Sequence, residues 1–324
     1  MKRAGMVELA KAAGVSLATV DRALNGRERL RPETLAHVIA VARAMGHPAA
    51  ARFGGSTRRL GVVLHKEGQE FYKAFADELR RAAVEAGVEL VLEFSASQSP
   101  SDMARALRAM TGRCDVLAAT AVNHPDVTEA VAALKAAGIG VHALLSEFAP
   151  GVRAGYLGLD NLKVGRVAGW MMQKVAAPGS LAIFVGGTRW HGHDLRDQGF
   201  RAYLRDHAPQ LTVLEPLVNL ETRQMTYEGV MTLLATRPDL RGIYVAGGGM
   251  EGAIAALRET GAPVALVVSA LTPYARRGLK GGQVTLVVDT PLEKLCRALM
   301  QRVLTPGGPE TLFLPPDLHI GESL

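Results

Sequence analysis

Apolar positions recur every three to four residues from Val7 to Asn25: Val7, Leu9, Ala10, Ala13, Val20 and Leu24. That spacing predicts two short helices packed through their inner faces. Gly14 falls where the first helix must stop and suits a left-handed C-cap. Ser16 follows closely enough to act as N-cap of the second helix. So short a turn fixes a large angle between the helices. This is the helix-turn-helix arrangement, in which the second helix enters the DNA major groove. The alternative from this stretch alone is an ordinary helical hairpin. A third helix is expected from Pro32 through Met45, with Leu35, Val38, Ile39, Ala42 and Met45 as its stripe. Gly46-His47-Pro48 ends it. Gly54-Gly55-Ser56-Thr57 and Arg58-Arg59 then read as a linker.

From residue 60 the pattern changes. Short apolar runs alternate with amphipathic stretches to the end of the chain. Strands are predicted at 60–65, 89–94, 115–120, 139–144, 155–159, 181–186, 213–218, 242–247, 264–269 and 284–288. Helices between them include Phe71–Ala86, Asp126–Ala137, Leu162–Val175, Arg196–His207, Thr222–Ala235, Gly252–Thr260 and Leu292–Val303. Such alternation means parallel sheets covered on both faces. About ten strands exceed what one such sheet usually holds, so two lobes are expected, with a cleft at the strand C-terminal ends. The division is then 1–47 for the helical head, 48–59 for the linker and 60–324 for the two-lobed body.

Charge sharpens this division. Residues 1–60 carry eleven Lys or Arg against four Asp or Glu, an excess of seven, while the whole chain of 324 residues has a net charge of only +6. The basic character therefore belongs to the head, as expected for a segment that meets a polyanion. Cys114 and Cys296 lie in apolar patterns without metal-ligand spacing and read as buried free thiols. No secretory leader pattern and no apolar run of membrane-spanning length is found, so a cytoplasmic location is expected.

Candidate chemistry gathers at predicted strand ends. Gly247-Gly248-Gly249-Met250-Glu251-Gly252 satisfies G-x-G-x-x-G, but no acid ends the following strand, where Ser269-Ala270 stand. The Gly248 region instead reads as a turn that brings backbone N–H groups to a ligand. His191-x-His193 can hold a metal, yet no further ligands stand at a recognisable spacing. Phe71 and Tyr72 offer either core packing or a stacking surface. Asn123, His124, Asp160, Trp190, His193, Arg196, Ser269 and Asp289 complete the candidates for ligand contact, Asp160 being equally suited to cap a helix. No nucleophile elbow, phosphate loop or paired carboxylate stands out. No catalysis, metal or cofactor is expected.

V-E-L-A-K-A-A-G-V-S-L-A-T-V-D-R-A-L-N at 7–25, R-P-E-T at 31–34 and L-G-V-V at 60–63 resemble the LacI/GalR family of bacterial transcription regulators. So do Gly158-Leu159-Asp160-Asn161, Arg196-Asp197-Gln198-Gly199-Phe200 and Leu271-Thr272-Pro273. The resemblance spans essentially the whole chain and is shared, over the body, with periplasmic sugar-binding proteins. It implies an α/β protein: a small all-α helix-turn-helix head followed by a two-lobed, parallel-sheet, periplasmic-binding-protein-like core. It implies a homodimer on double-stranded operator DNA, a small polar effector such as a sugar between the lobes, and repressor behaviour of the family type. Base-reading positions fall on Leu17, Ala18 and Arg22, where Arg22 can bond a guanine edge and Leu17 a thymine methyl. Phosphate-contacting positions fall on Ser16, Thr19, Asn25, Arg31 and Thr34. Asp21 stands where a small hydroxyl residue is usual. It is expected to pair with a neighbouring Arg or to read a cytosine amino group. The linker is several residues short, leaving Phe53 as the minor-groove wedge candidate. Gly247-Gly248 and Ser269-Ala270 occupy places where sugar-binding relatives often carry acids or amides. The competing reading is a small-molecule binding protein or α/β enzyme that does not bind DNA.

Overall fold

The computed structural model describes residues 5–25, 30–45, 47, 58–305 and 308–324. Three helices form the head: α1 (Met6–Ala12), α2 (Leu17–Asn25) and α3 (Pro32–Ala44). Gly14 has φ +64°. The Val15 N–H donates to the Ala10 carbonyl (3.1 Å) and the Gly14 N–H to that of Lys11 (3.3 Å), so α1 ends in a Schellman turn as the glycine predicts. Leu9, Val20, Leu24, Val38 and Ile39 close the head's core. Val7 is 68% exposed and does not join it, lying on the outer face of α1 while Leu9 and Ala10 turn inward. The 48–57 part of the linker, with Phe53, lies outside the described residues.

The body has two sheets. The first runs β2 (Glu89–Phe94), β1 (Arg59–Leu64), β3 (Val116–Ala119), β4 (Gly140–Leu144), β5 (Gly155–Leu159) and β12 (Thr311–Leu314), all parallel. The second runs β7 (Leu211–Val213), β6 (Gly179–Val185), β9 (Leu240–Val245), β10 (Ala265–Val268), β11 (Leu286–Asp289) and β13 (Asp317–His319), with β8 (Leu217–Val218) also on β6. The stretch read as one strand at 213–218 is thus two, β7 and β8, and the late pair β12 and β13 has no counterpart in the predicted set. β13 runs antiparallel to β11, an edge strand added to an otherwise parallel sheet.

Within the described residues the chain passes between the lobes after β5, after β11 and between β12 and β13. α4 (Glu70–Ala86) and α12 (Leu292–Leu304) cover one face of the first sheet through Phe75, Leu79, Leu295 and Leu299. α5 (Pro100–Arg108) and α6 (Pro125–Ala136) cover the other. In the second lobe α7 (Asn161–Val175) and α8 (His191–His207) lie on one face, and α9 (Arg223–Thr236), α10 (Met250–Thr260) and α11 (Pro273–Lys280) on the other. Cys114 and Cys296 are buried free thiols in the first lobe.

Each sheet has a switch point beside its first strand: β1 lies between β2 and β3, and β6 between β7 and β9. Ligands of open α/β sheets bind at such points, where the following loops diverge. The residues after β1 and after β6 face each other across the cleft, since the His65 and Trp190 rings are 4.9 Å apart.

α7 and α8 touch backbone to backbone. A Cβ on Gly199 would lie 2.0 Å from the Leu162 carbonyl oxygen, and one on Gly165 would lie 2.0 Å from that of Arg196. No side chain can yield there, so the helices themselves would have to separate. Gly199→Ala is expected to destabilise the protein by about 3 kcal/mol, as overpacking of a rigid contact does. A urea-unfolding midpoint equal to that of the parent would refute the close-contact account.

Candidate functional site

The interlobe cleft is closed on a cavity of about 90 Å³ lined by aromatic, hydroxyl and charged side chains. That is room for about three waters. A ligand of sugar size requires the lobes to part.

Glu221 holds the two lobes together. Its backbone sits at φ +54°, after Leu220 at φ +48°. The turn is fixed from within: the Glu221 N–H donates to Asn219 Oδ1 (2.8 Å), and Asn219 Nδ2 donates to Thr226 Oγ1 (2.9 Å) and to the Gly248 carbonyl (2.9 Å). The first lobe then grips this turn. Lys66 Nζ donates to the Leu220 carbonyl (2.8 Å) and pairs with Glu221 Oε2 (3.2 Å). Gln69 Nε2 donates to the Glu221 carbonyl (2.9 Å), and Gln98 Nε2 to Glu221 Oε2 (2.9 Å). Lys66 is itself left-handed, at φ +53°. Non-glycine residues persist in that region only where neighbours over-determine them, and such strain clusters at functional sites.

The carboxylate is 9% exposed. Burial pushes its pKa up, but His193, Lys66, His65 and the Gly248 N–H outweigh that and hold it at about 2. Glu221 is therefore ionised at neutral pH. The flanking histidines are neutral: burial brings both His65 and His193 down to about 4. His193 Nδ1 accepts from the Gly186 N–H (3.0 Å). The ring proton therefore sits on Nε2, 3.6 Å from Glu221 Oε1. His65 bonds Thr120 Oγ1 through Nδ1 (3.0 Å) and stacks between Tyr72 and Trp190, at 4.3 and 4.9 Å.

The glycine run has a steric purpose. A Cβ at Gly247 would lie 2.5 Å from His193 Cε1 and 2.8 Å from Glu221 Oε1, and one at Gly248 would lie 2.9 Å from Glu221 Cβ. Glu221 and His193 fill the space that side chains at the end of β9 would need. The Gly248 N–H is taken by Glu221 Oε1 (3.2 Å), so it serves the carboxylate and is not presented to a ligand.

The structure brings Phe71, Tyr72, Trp190, His193, Arg196, Gly248 and Ser269 to this cavity. Trp190 and His193 belong to the N-cap and first turn of α8, which begins at His191, ahead of the predicted start at Arg196. Arg196 is 8% exposed and donates to Asn161 Oδ1 (2.7 Å) and the Ala246 carbonyl (2.6 Å). Ser269 Oγ donates to the Val245 carbonyl (2.8 Å).

Four candidates stand elsewhere. Asn123 is exposed, and His124 caps α6 by accepting from the Asp126 N–H (3.2 Å). Asp160 caps α7, accepting from the Lys163 N–H (3.1 Å). Asp289 accepts from the Leu271 N–H (3.0 Å) and lines a neighbouring groove with His319. The last three are held by a helix end or loop amide, and none of the four lines the cavity. Sequence reasoning missed His65, Lys66, Gln69, Gln98, Asn219 and Glu221, and named Asn161 only together with Asp160. His65-Lys66 directly follows β1, and Asn219-Leu220-Glu221 runs from β8 to the Thr222 N-cap. The strand-end rule applied to the other candidates would have found both.

In the head, Ser16 Oγ accepts from the Thr19 N–H (3.1 Å), the predicted N-cap. Ser16, Leu17, Ala18 and Asn25 are exposed, with Thr19 and Arg22 half-buried on the same helix. Arg31 is exposed at the start of α3, and Thr34 is half-buried. Asp21 accepts from Asn25 Nδ2 (2.7 Å), one turn on, a partner that the sequence reading did not give it.

Residues 60–303 match the family described as periplasmic binding protein domain, and residues 5–48 that described as bacterial regulatory proteins, lacI family. The catabolite repressor/activators of Salmonella typhimurium LT2 and Escherichia coli K12 are each 33% identical over 103 residues, 30% of this chain and 31% of theirs. The chain thus spans under a third of the length of the curated relatives it matches. A Burkholderia graminis solute binding protein in complex with D-arabinose superposes with TM-score 0.77 at 19% identity, covering 83% of this chain and 98% of that one. An Actinobacillus succinogenes periplasmic solute binding protein with bound D-allose gives 0.74 at 17%, covering 82% and 98%. At these identities the likeness is one of fold.

Two outcomes are expected from the site. Glu221→Gln leaves the Lys66 charge unmatched in a largely buried place, which costs about 3 kcal/mol and loosens the lobes. Small-angle scattering should then report a larger radius of gyration, and an unchanged one would deny Glu221 its bridging role. Acid should also destabilise the fold. His65, His142 and His193 have folded pKa values of about 4, lowered by burial from an ordinary 6.5. The unfolded chain therefore binds more protons between those values, and stability falls as pH drops from 6.5 to 4. The slope approaches about 4 kcal/mol per pH unit for three such groups. Thermal melts across that window measure it.

Proposed function

The chain belongs to the periplasmic-binding-protein-domain family and carries a lacI-family regulatory head; from that premise we propose that it is a DNA-binding transcription regulator, acting as a repressor, whose operator affinity is set by a small polyhydroxylated metabolite held between the lobes. The observation that carries this reading is the exposed face of α2, capped by Ser16 and bearing Leu17, Ala18 and Arg22 on a basic head. Its nine residues suit a recognition helix, and in this reading Ser16, Thr19, Asn25, Arg31 and Thr34 take the phosphates. Asp21 is partly satisfied by Asn25, which reduces its repulsion of the DNA backbone. Recognition heads of this kind read half-sites in pairs, so the working unit is a homodimer in the cytoplasm. The ligands named for solute binding proteins of the same fold, D-arabinose and D-allose, support a sugar-like effector. The alternating aromatic and hydroxyl lining of the cavity supports it as well.

Duplexes selected from a random pool by the full-length protein should bind with an affinity that falls steeply with salt, and Arg22→Ala should cost about 1–3 kcal/mol and relax one position of the selected site. Residues 60–324 alone should bind none of them. Equal retention by that fragment would overturn the assignment.

A further inference from the structure

The charges of the cleft do not cancel. Glu221 is matched by Lys66 at 3.2 Å, and His65 and His193 carry no charge at neutral pH. Arg196 remains. Its bonds go to the neutral Asn161 Oδ1 and Ala246 carbonyl, and among the described residues it forms no ion pair. It is 8% exposed and lines the cavity. A guanidinium in so dry a place, oriented by two acceptors and lacking a counter-charge, is costly unless an anion completes it. A second polar atom is also unmet. His65 Nε2 is buried without a hydrogen-bond partner, on a side chain 1% exposed, 4.0 Å from Glu221 Oε2.

We propose that the effector is a sugar acid, a polyhydroxylated monocarboxylate whose carboxylate pairs with Arg196. The inference rests on reading the cleft as the effector site. One unmatched positive charge suits one negative charge. A phosphate ester, at about −1.5 to −2, would bring more charge than the cleft can neutralise. Planar guanidinium and planar carboxylate also form two parallel bonds, and Arg196 lines the cavity with Nη2 outside the two bonds above. The side chains of Thr120, Ser146 and Ser269 line the cavity beside Arg196 and suit the polyol part. The Trp190 and Tyr72 rings suit its C–H face.

The test is ligand-induced thermal stabilisation and calorimetry of the full-length protein with matched triples: glucose, gluconate and glucose 6-phosphate, and the galactose and arabinose equivalents. At least one acid should bind tenfold or more tightly than both its neutral and its phosphorylated counterparts. Arg196→Gln should abolish that preference and Arg196→Lys should keep part of it. If Arg196→Gln does not fold, the comparison within the parent protein decides. A neutral sugar that matches or exceeds its acid overturns the carboxylate assignment while leaving a sugar-binding cleft in place. A phosphate ester that binds best overturns it too. No shift with any member overturns both the assignment and the reading of the cleft as a sugar-type site.

Discussion

A carboxylate buried between two lobes has to be neutralised from both, and Glu221 meets that requirement by drawing Lys66 and Gln98 from one lobe and His193 and the Gly248 N–H from the other. An ionised group with only 9% of its side chain exposed is tolerable only while all of these contacts persist. The lobes' closed arrangement follows from this need. So does the local composition: the left-handed turn at Leu220-Glu221 aims the side chain, Asn219 fixes the turn, and glycines at 186, 247 and 248 leave it space.

The same constraint explains why the glycine-rich stretch is not a nucleotide motif. G-x-G-x-x-G needs its glycines for the approach of a pyrophosphate to backbone amides. Here Gly247 and Gly248 give way to a protein side chain, and the amide that a phosphate would use already serves Glu221. Arg196 sits on the far side of this network. The close contact of α7 and α8 at Gly165 and Gly199 lets Asn161 of one helix meet Arg196 of the other at 2.7 Å. The glycines of both segments thus place a charge by removing bulk around it.

Much of the architecture was legible in the chain. The head's turn was readable because Gly14 and Ser16 make local bonds that depend on nothing distant. The alternating body was readable because parallel strands are apolar on both faces. β12 and β13 were not, since edge strands of three or four half-exposed residues lack that signature. The cavity was half-legible. Phe71, Tyr72, Trp190, His193, Arg196 and Ser269 follow from their places at strand ends. Glu221 did not stand out, because its importance comes from Lys66 and Gln98, more than a hundred residues away in the chain, and single-stretch reasoning does not sum such partners. The opposite error befell His124, whose side chain caps the helix that made it conspicuous, while Asp160 takes the capping role that its position equally allowed.

One element joins the two ends of the molecule. α4 begins at the cleft, where its N-cap Gln69 bonds the Glu221 carbonyl and Phe71 and Tyr72 line the cavity. Its last turn carries Val84, which packs against the hydrophobic cluster of the head. Seventeen residues of helix span about 25 Å with little compliance along the axis. A ligand that parts the lobes must break the Gln69 and Lys66 bonds to the Glu221 turn, because the closed cavity has no room for it. That disturbance falls on the first turn of a helix whose final turn supports the head. The linker joins head to body covalently, and the packing of Val84 on the head's cluster adds a second connection. That second connection is one stiff helix held at both ends, by a hydrogen bond at Gln69 and by apolar packing at Val84.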